Sequence, residues 1–335
     1  MTRYAVIGAG AIGCYYGLKL LRNGNDVHFL FLGGEADIVR RDGLHLISPD
    51  GDYTATDVQA AGSWDELSQP DVALVAVKSL ANEDVAARLP ALLRGSGTVL
   101  LIQNGLGAEA VYRAQVGSGV TIVGGLAFIA AERRNVTEIH HFAHGNLTIA
   151  QDTPDESPAG ITAIMTGIVA DFAPGQHVDT AEDLLLARYQ KLLWNTPFNA
   201  LSVILNAQTD ALMANPQSVA LVKRVMQDVQ TAAAAQGRTI DDSLIELLLE
   251  TTRQLPPYSP SMKVDWDNGR PMEVEGIVHE PLRRADRFGV DVPALRTVYE
   301  ELAFLEAGLE SAAQPALPDP RTATLRPAAQ PHGRA

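Results

Sequence analysis

Cysteine is nearly absent. Cys14 is the single one in 335 residues, so no internal disulfide can form and the chain fits a reducing compartment. Set in an apolar stretch, that thiol reads as a small residue on a buried helix face rather than as a nucleophile. Positive charge is scarce as well. With 26 Lys and Arg against 40 Asp and Glu, the net charge of -14 leaves no basic stripe for a nucleic-acid backbone and no cationic face for anionic lipid. Long apolar runs are missing too, since no window reaches the ~20 residues of a membrane span. Met1-Thr2-Arg3 leads straight into an apolar run ending at Gly8, too short for a signal-peptide core, and a cytoplasmic protein is expected.

What is present sorts into two textures. Apolar runs at Tyr4–Ile7, Val27–Phe31, Val72–Val77, Val99–Ile102 and Thr121–Gly124 have the character of strands buried on both faces. Segments of helical spacing, Ile12–Arg22, Asn82–Leu93 and Glu109–Gln115, lie between several of them, so the first half is α/β with a doubly wound, Rossmann-type sheet. Val136–Ala150 alternates around a Gly-Asn pair and reads as a hairpin at the sheet edge. His140 and His141 in it point to opposite faces of a strand, which with His144 and no acidic cluster makes a poor metal site; no metal is expected.

After Thr180 the β-branched runs fade. Ala181–Leu205, Pro216–Gln236, Asp241–Gln254, Pro271–Phe288 and Pro293–Ser311 carry helical periodicity broken by Pro, Gly and polar joints. The expected organisation is a dinucleotide-binding domain over residues 1–178, an all-α domain over 179–311 and a disordered tail over 312–335. The long apolar faces of the second domain would serve equally as core or as the interface of a homodimer.

Gly8-Ala9-Gly10-Ala11-Ile12-Gly13 follows the first strand and opens the first helix. In that setting Gly8 allows the tight turn, Gly10 lets a pyrophosphate approach the backbone, and Gly13 lets helix and strand pack closely, while the helix N-terminus supplies N–H donors. The ribose end is blank. An acid after the second strand would select NAD and an arginine NADP, but Phe29-Leu30-Phe31-Leu32-Gly33-Gly34 has neither. Glu35 lies beyond the glycines, and Arg40 and Arg41 lie further still.

In the second half Lys191, Asn195 and Asn199 stand four apart on one helix face among Leu192, Trp194, Phe198 and Leu201. Taken alone Lys191 reads as a snorkelling surface lysine; two amides in register, and Pro197 as the source of a kink, turn the reading toward a site. A polar stretch with Ser261, Asp265, Arg270, Glu273 and Glu275 follows.

These residues together resemble the ketopantoate reductase (2-dehydropantoate 2-reductase) family, to about residue 308. The likeness rests on "GAGAIG" at Gly8, "VKS" around Lys78, "LIQNGLG" from Leu101, "KLLWNTPFNALSVI" from Lys191 and "SPSMKVDWDNGRPMEVEGI" from Ser259. The resemblance implies that Lys191 is the general acid, that Glu273 positions substrate and cofactor, and that Asn195, Asn199 and Ser261 hold the substrate. It implies that Asn104 lies between substrate and nicotinamide, and that Lys78 and the backbone at Ala130 contact the cofactor. Reduction of 2-dehydropantoate to pantoate with NADPH is the implied activity. The family's usual arginine after the second strand is replaced by Leu32, which keeps NADH as the alternative cofactor, with Lys78, Arg40 or Arg41 left to meet the 2′-phosphate. A dehydrogenase of another 2-keto or hydroxy acid, with Lys191 as base, and a dinucleotide sensor without turnover are the alternative functions.

Overall fold

The computed structural model describes residues 1–313. The tail expected over 312–335 therefore lies, apart from its first two residues, outside the described residues. The first part of the chain runs β1 (Arg3–Ile7), α1 (Ala11–Arg22), β2 (Asp26–Leu30), α2 (Glu35–Asp42), β3 (Leu44–Ile47), β4 (Tyr53–Ala55), β5 (Gln59–Ala61), β6 (Val72–Val75) and α3 (Asn82–Leu93). It continues through β7 (Gly97–Ile102), α4 (Ala108–Val116), β8 (Val120–Arg133), β9 (Glu138–Gln151), α5 (Ala163–Phe172) and β10 (Val178–Thr180).

Six strands, in the order β5-β2-β1-β6-β7-β8, are all parallel, which is the order of a dinucleotide-binding sheet with its switch point between β1 and β6. Beyond β8 the sheet turns antiparallel with β9, and β3 and β10 add to the far side of β9. These outer strands wrap α1: the Tyr16 hydroxyl donates to the Gly145 carbonyl at 3.1 Å, while on the other side Gly17 leaves room for the Phe29 ring of β2.

The hairpin expected within Val136–Ala150 is not there. The turn falls earlier, at Arg134–Thr137, where the Asn135 side chain accepts from the backbone of Thr137 and Glu138, and 138–151 is one continuous strand. Gly145 supplies the extra residue of a bulge instead, with Phe128 paired to Asn146 and Ile129 to His144. Nor is β9 an edge, since β3 and β10 cover it.

The second part is helical: α6 (Leu184–Ile204), α7 (Thr209–Ala214), α8 (Pro216–Ala235), α9 (Asp242–Gln254), α10 (Ser261–Asp267), a π-turn at Glu275–His279 running into α11 (Glu280–Arg287), and α12 (Pro293–Ala313). Capping explains three of the starts, at Asp183, Asn215 and Asp241. Asp183 accepts from the Leu186 N–H at 3.0 Å, and Asn215 caps a helix that opens on Pro216. The helix expected from Pro271 begins only at Val274, and α7 and α10 are short helices inside stretches that read as joints. Despite Pro197, α6 continues for two further turns, held in the core by Leu192, Leu193, Phe198 and Leu201. No helix among the described residues is long and apolar enough to cross a membrane.

Candidate active site

The loops at the carboxyl ends of β6 and β7 are hydrogen-bonded to α6, α10 and the segment before the π-turn, and the turn after β1 packs against the end of β6. At β1 the three glycines have distinct environments. A Cβ on Gly13 would sit 2.2 Å from the Gly8 carbonyl oxygen, and one on Gly8, at φ +95°, 2.7 Å from the backbone of Ala76 and Val77. Nothing lies within 4 Å of a Cβ on Gly10. The turn is thus locked from below and open above, at the start of a helix with no capping side chain and no acid in its first turn. Ala9 is buried and Ala11 and Ile12 are partly so. That arrangement fits the pyrophosphate of a dinucleotide, whose negative charge the free N–H groups and the helix dipole favour.

Across the cleft the α6 row is graded in depth. Lys191 is partly exposed, Asn195 is 7% exposed and Asn199 2%. The Lys191 ammonium donates to Asn104 Oδ1 at 2.8 Å, and Asn195 Nδ2 approaches the same oxygen at 3.5 Å. Burial, aided by the nearby Arg188 cation and opposed by Glu273, brings the Lys191 pKa down to about 7. A lysine tuned this way can hold or release a proton near neutral pH.

Asn199 has another occupation. Its Oδ1 accepts from the Met262 N–H at 3.0 Å and from Ser261 Oγ at 3.3 Å, while its Nδ2 donates to the Asn195 carbonyl at 2.9 Å. It ties the start of α10 to α6, and through it Ser261, itself exposed, is held near the row. Glu273 Oε1 accepts from the Ser79 N–H at 2.9 Å, and Lys78 Nζ donates to the buried Asp265 at 2.5 Å. Both bonds cross from the sheet to the helical half. Lys78 therefore has a carboxylate partner here, which sequence reasoning did not pair with it; Arg270 bonds the same Asp265 oxygen.

Ala130 lies in β8 beside a register shift, apart from this hydrogen-bonded cluster. The ribose end is occupied in ways the pattern did not foretell. Leu32 is 59% exposed ahead of two glycines with positive φ. Arg40 bonds Ala60, Asp37 and Glu66, and Arg41 bonds Asp42. Arg133 from β8 reaches Glu35 at 2.8 Å and lies over the Phe31 ring. Cys14 is fully buried, with its thiol pKa pushed up to about 12 by desolvation. His140 pairs with Glu138 and His141 with Ser48, and no group of His, Cys, Asp and Glu among the described residues is arranged to hold a metal ion.

Residues 4–153 match the family Ketopantoate reductase PanE/ApbA, and residues 183–306 match Ketopantoate reductase PanE/ApbA C terminal. The chain belongs to the ketopantoate reductase family. It is an oxidoreductase of the kind that uses a nicotinamide dinucleotide. A 2-dehydropantoate 2-reductase of Nostoc sp. is 42% identical over 305 residues, 91% of this chain and 95% of that protein. The solved 2-dehydropantoate 2-reductase of Geobacter metallireducens superposes with a TM-score of 0.83 at 33% identity, covering 90% of this chain and 99% of its own. A D-mandelate dehydrogenase solved with NADH and anilino(oxo)acetate has a TM-score of 0.80 over 92% of this chain and 99% of its own; at 19% identity it shares the fold alone. The doubly wound sheet followed by a helical domain is the architecture of the ketopantoate reductases.

Proposed function

We propose that the protein reduces 2-dehydropantoate to pantoate with NADPH, a step toward coenzyme A, in the cytoplasm. The observation that carries this reading is the Lys191–Asn104 pair, an ammonium of lowered pKa at the loop after β7, two strands from the open glycine turn after β1. A bound nicotinamide dinucleotide supplies the hydride. Lys191 stabilises the charge that develops on the carbonyl oxygen and gives up its Nζ–H proton to it, so the ketone leaves as an alcohol and the lysine is left neutral, to be recharged from solvent. Asn104 aims the ammonium. Asn195 and Ser261 bind the polar arms of the substrate, with Asn199 holding Ser261 in place, and Glu273 raises the charged fraction of Lys191 while fastening the β6 loop. On the cofactor side, Gly8–Gly13 receive the pyrophosphate, and Lys78, turning from Asp265, meets the 2′-phosphate.

A second reading, an NADH-dependent reductase or dehydrogenase of another 2-keto or hydroxy acid, is favoured by one feature. Leu32 offers no phosphate ligand, and Lys78, Arg40 and Arg41 each already have a carboxylate partner. Parallel assays of purified protein with 2-dehydropantoate and either reduced cofactor separate the two. Turnover with NADPH well above that with NADH supports the first; turnover confined to NADH, or to other keto acids, replaces it with the second.

A further inference from the structure

Arg188 lies one turn ahead of Lys191 on α6 and its side chain is 3% exposed. Its Nε and Nη2 donate to Glu109 Oε1 of α4, and its Nη1 donates to the Gln103 carbonyl. Gln103 is a junction: its Nε2 donates to the Val77 carbonyl at 2.8 Å and to Asn82 at 2.6 Å, so it joins the ends of β6 and β7. The next residue is Asn104, which receives the Lys191 ammonium. Two cations on successive turns of one helix therefore grip two successive residues of one loop. Gly124 leaves room for Leu184 and Glu109, since a Cβ there would lie 2.5 Å from Leu184 Cδ1 and 3.0 Å from Glu109 Oε1.

As a mere clamp this pair is an expensive choice. Taking two charges out of water is costly, and apolar residues of similar volume would join the two halves as well. We infer that Arg188, balanced by Glu109, is a positioning residue that places Asn104 and sets the electrostatic field at Lys191. The inference rests on Lys191 being the proton donor.

The other charges near Lys191 are already committed. Glu273 opposes Arg188 from the segment before the π-turn. Lys78 and Arg270 both bond Asp265, Lys263 bonds Asp267 on α10, and His279 bonds Glu275 on the π-turn. On α11, Arg284 is held by Glu156 and Glu280. On α8, Asp228 accepts from the Leu295 N–H of α12. Arg188 is thus the cation whose removal or unmasking acts on Lys191 most directly.

The sign of that action supplies the test. Arg188→Met removes a like charge, and the pH above which kcat falls should move up. Glu109→Gln leaves Arg188 unneutralised, and the same limb should move down. Arg188→Lys keeps the charge but loses the two-sided grip, so the limb should stay while kcat in the low-pH plateau drops about tenfold and KM for NADPH holds within about twofold. Each variant is read twice, by the pH–rate profile with NADPH and 2-dehydropantoate and by the NMR titration of the Lys191 side chain in uniformly labelled protein. Opposite displacements in Arg188→Met and Glu109→Gln support the inference. Displacement in the same direction, or none in either readout with only a lowered Tm, overturns it. If the NMR titrations separate as stated but no rate limb follows them, the field at Lys191 stands and its role as proton donor fails.

Discussion

Under the proposed function the ligand-facing groups of the sheet wall are backbone: Gly8, Gly10 and Gly13 present N–H groups and an absence of side chain. On the helical wall they are side chains, Lys191 and Asn195 from α6, Ser261 from α10 and Glu273 from the segment before the π-turn. In the proposed function the first wall binds by shape and dipole, so it should fail when atoms are added. The second is proposed to work by proton transfer and hydrogen bonding, so it should fail when a functional group is taken away. A backbone site tolerates no bulk, whereas a side-chain site tolerates no loss.

The largest effect belongs to the helical wall. Lys191→Ala should lower kcat by about 10²–10⁴-fold with cofactor affinity nearly unchanged, measured by steady-state rates and by cofactor fluorescence titration. In the unaltered enzyme, a lysine with a pKa of about 7 is charged below that pH, so the reduction rate should be flat in acid and decline as pH rises past it. An active Lys191→Ala enzyme would sink the assignment.

The sheet wall can be split further. Gly13→Ala forces a Cβ against the Gly8 carbonyl and should cost about 1–3 kcal/mol in urea unfolding, along with cofactor binding. Gly10→Ala has free space and extended backbone, so stability should hold while cofactor affinity drops about tenfold, or ~1.4 kcal/mol. Equal destabilisation by both would mean that the two glycines do not divide the work as the geometry indicates. The smallest effect is expected from Leu32→Arg, which adds one exposed cation at the ribose end. A rise of about three- to fivefold in the NADPH-to-NADH ratio of kcat/KM is expected, and an unchanged ratio would leave the phosphate to Lys78.

Legibility followed the range of the interactions. The cradle was readable because each glycine answers a local demand of one strand–turn–helix. The α6 row was readable because residues four apart share a helix face wherever the helix lies. Its depth was not: only packing against α10 turned Asn199 from a cleft residue into the anchor of Ser261 and Met262. The misplaced hairpin has a similar cause. Alternation marks Glu138–Gln151 as strand but says nothing of its register, and Gly145 serves a bulge as well as it would a turn. Lys78–Asp265 and Arg188–Glu109 join residues 187 and 79 positions apart, and no spacing rule reaches that far.

By itself the sequence determined the main alternation of strand and helix, the glycine turn between β1 and α1, and a lysine with two amides on one helix face. All of these depend on backbone geometry over a few residues. Tertiary structure decided how deep each group lies, which carboxylate meets which cation, and that burial lowers the Lys191 pKa. Desolvation and Coulomb interaction depend on what surrounds a charge in space, and those surroundings exist only once the two halves have closed on each other.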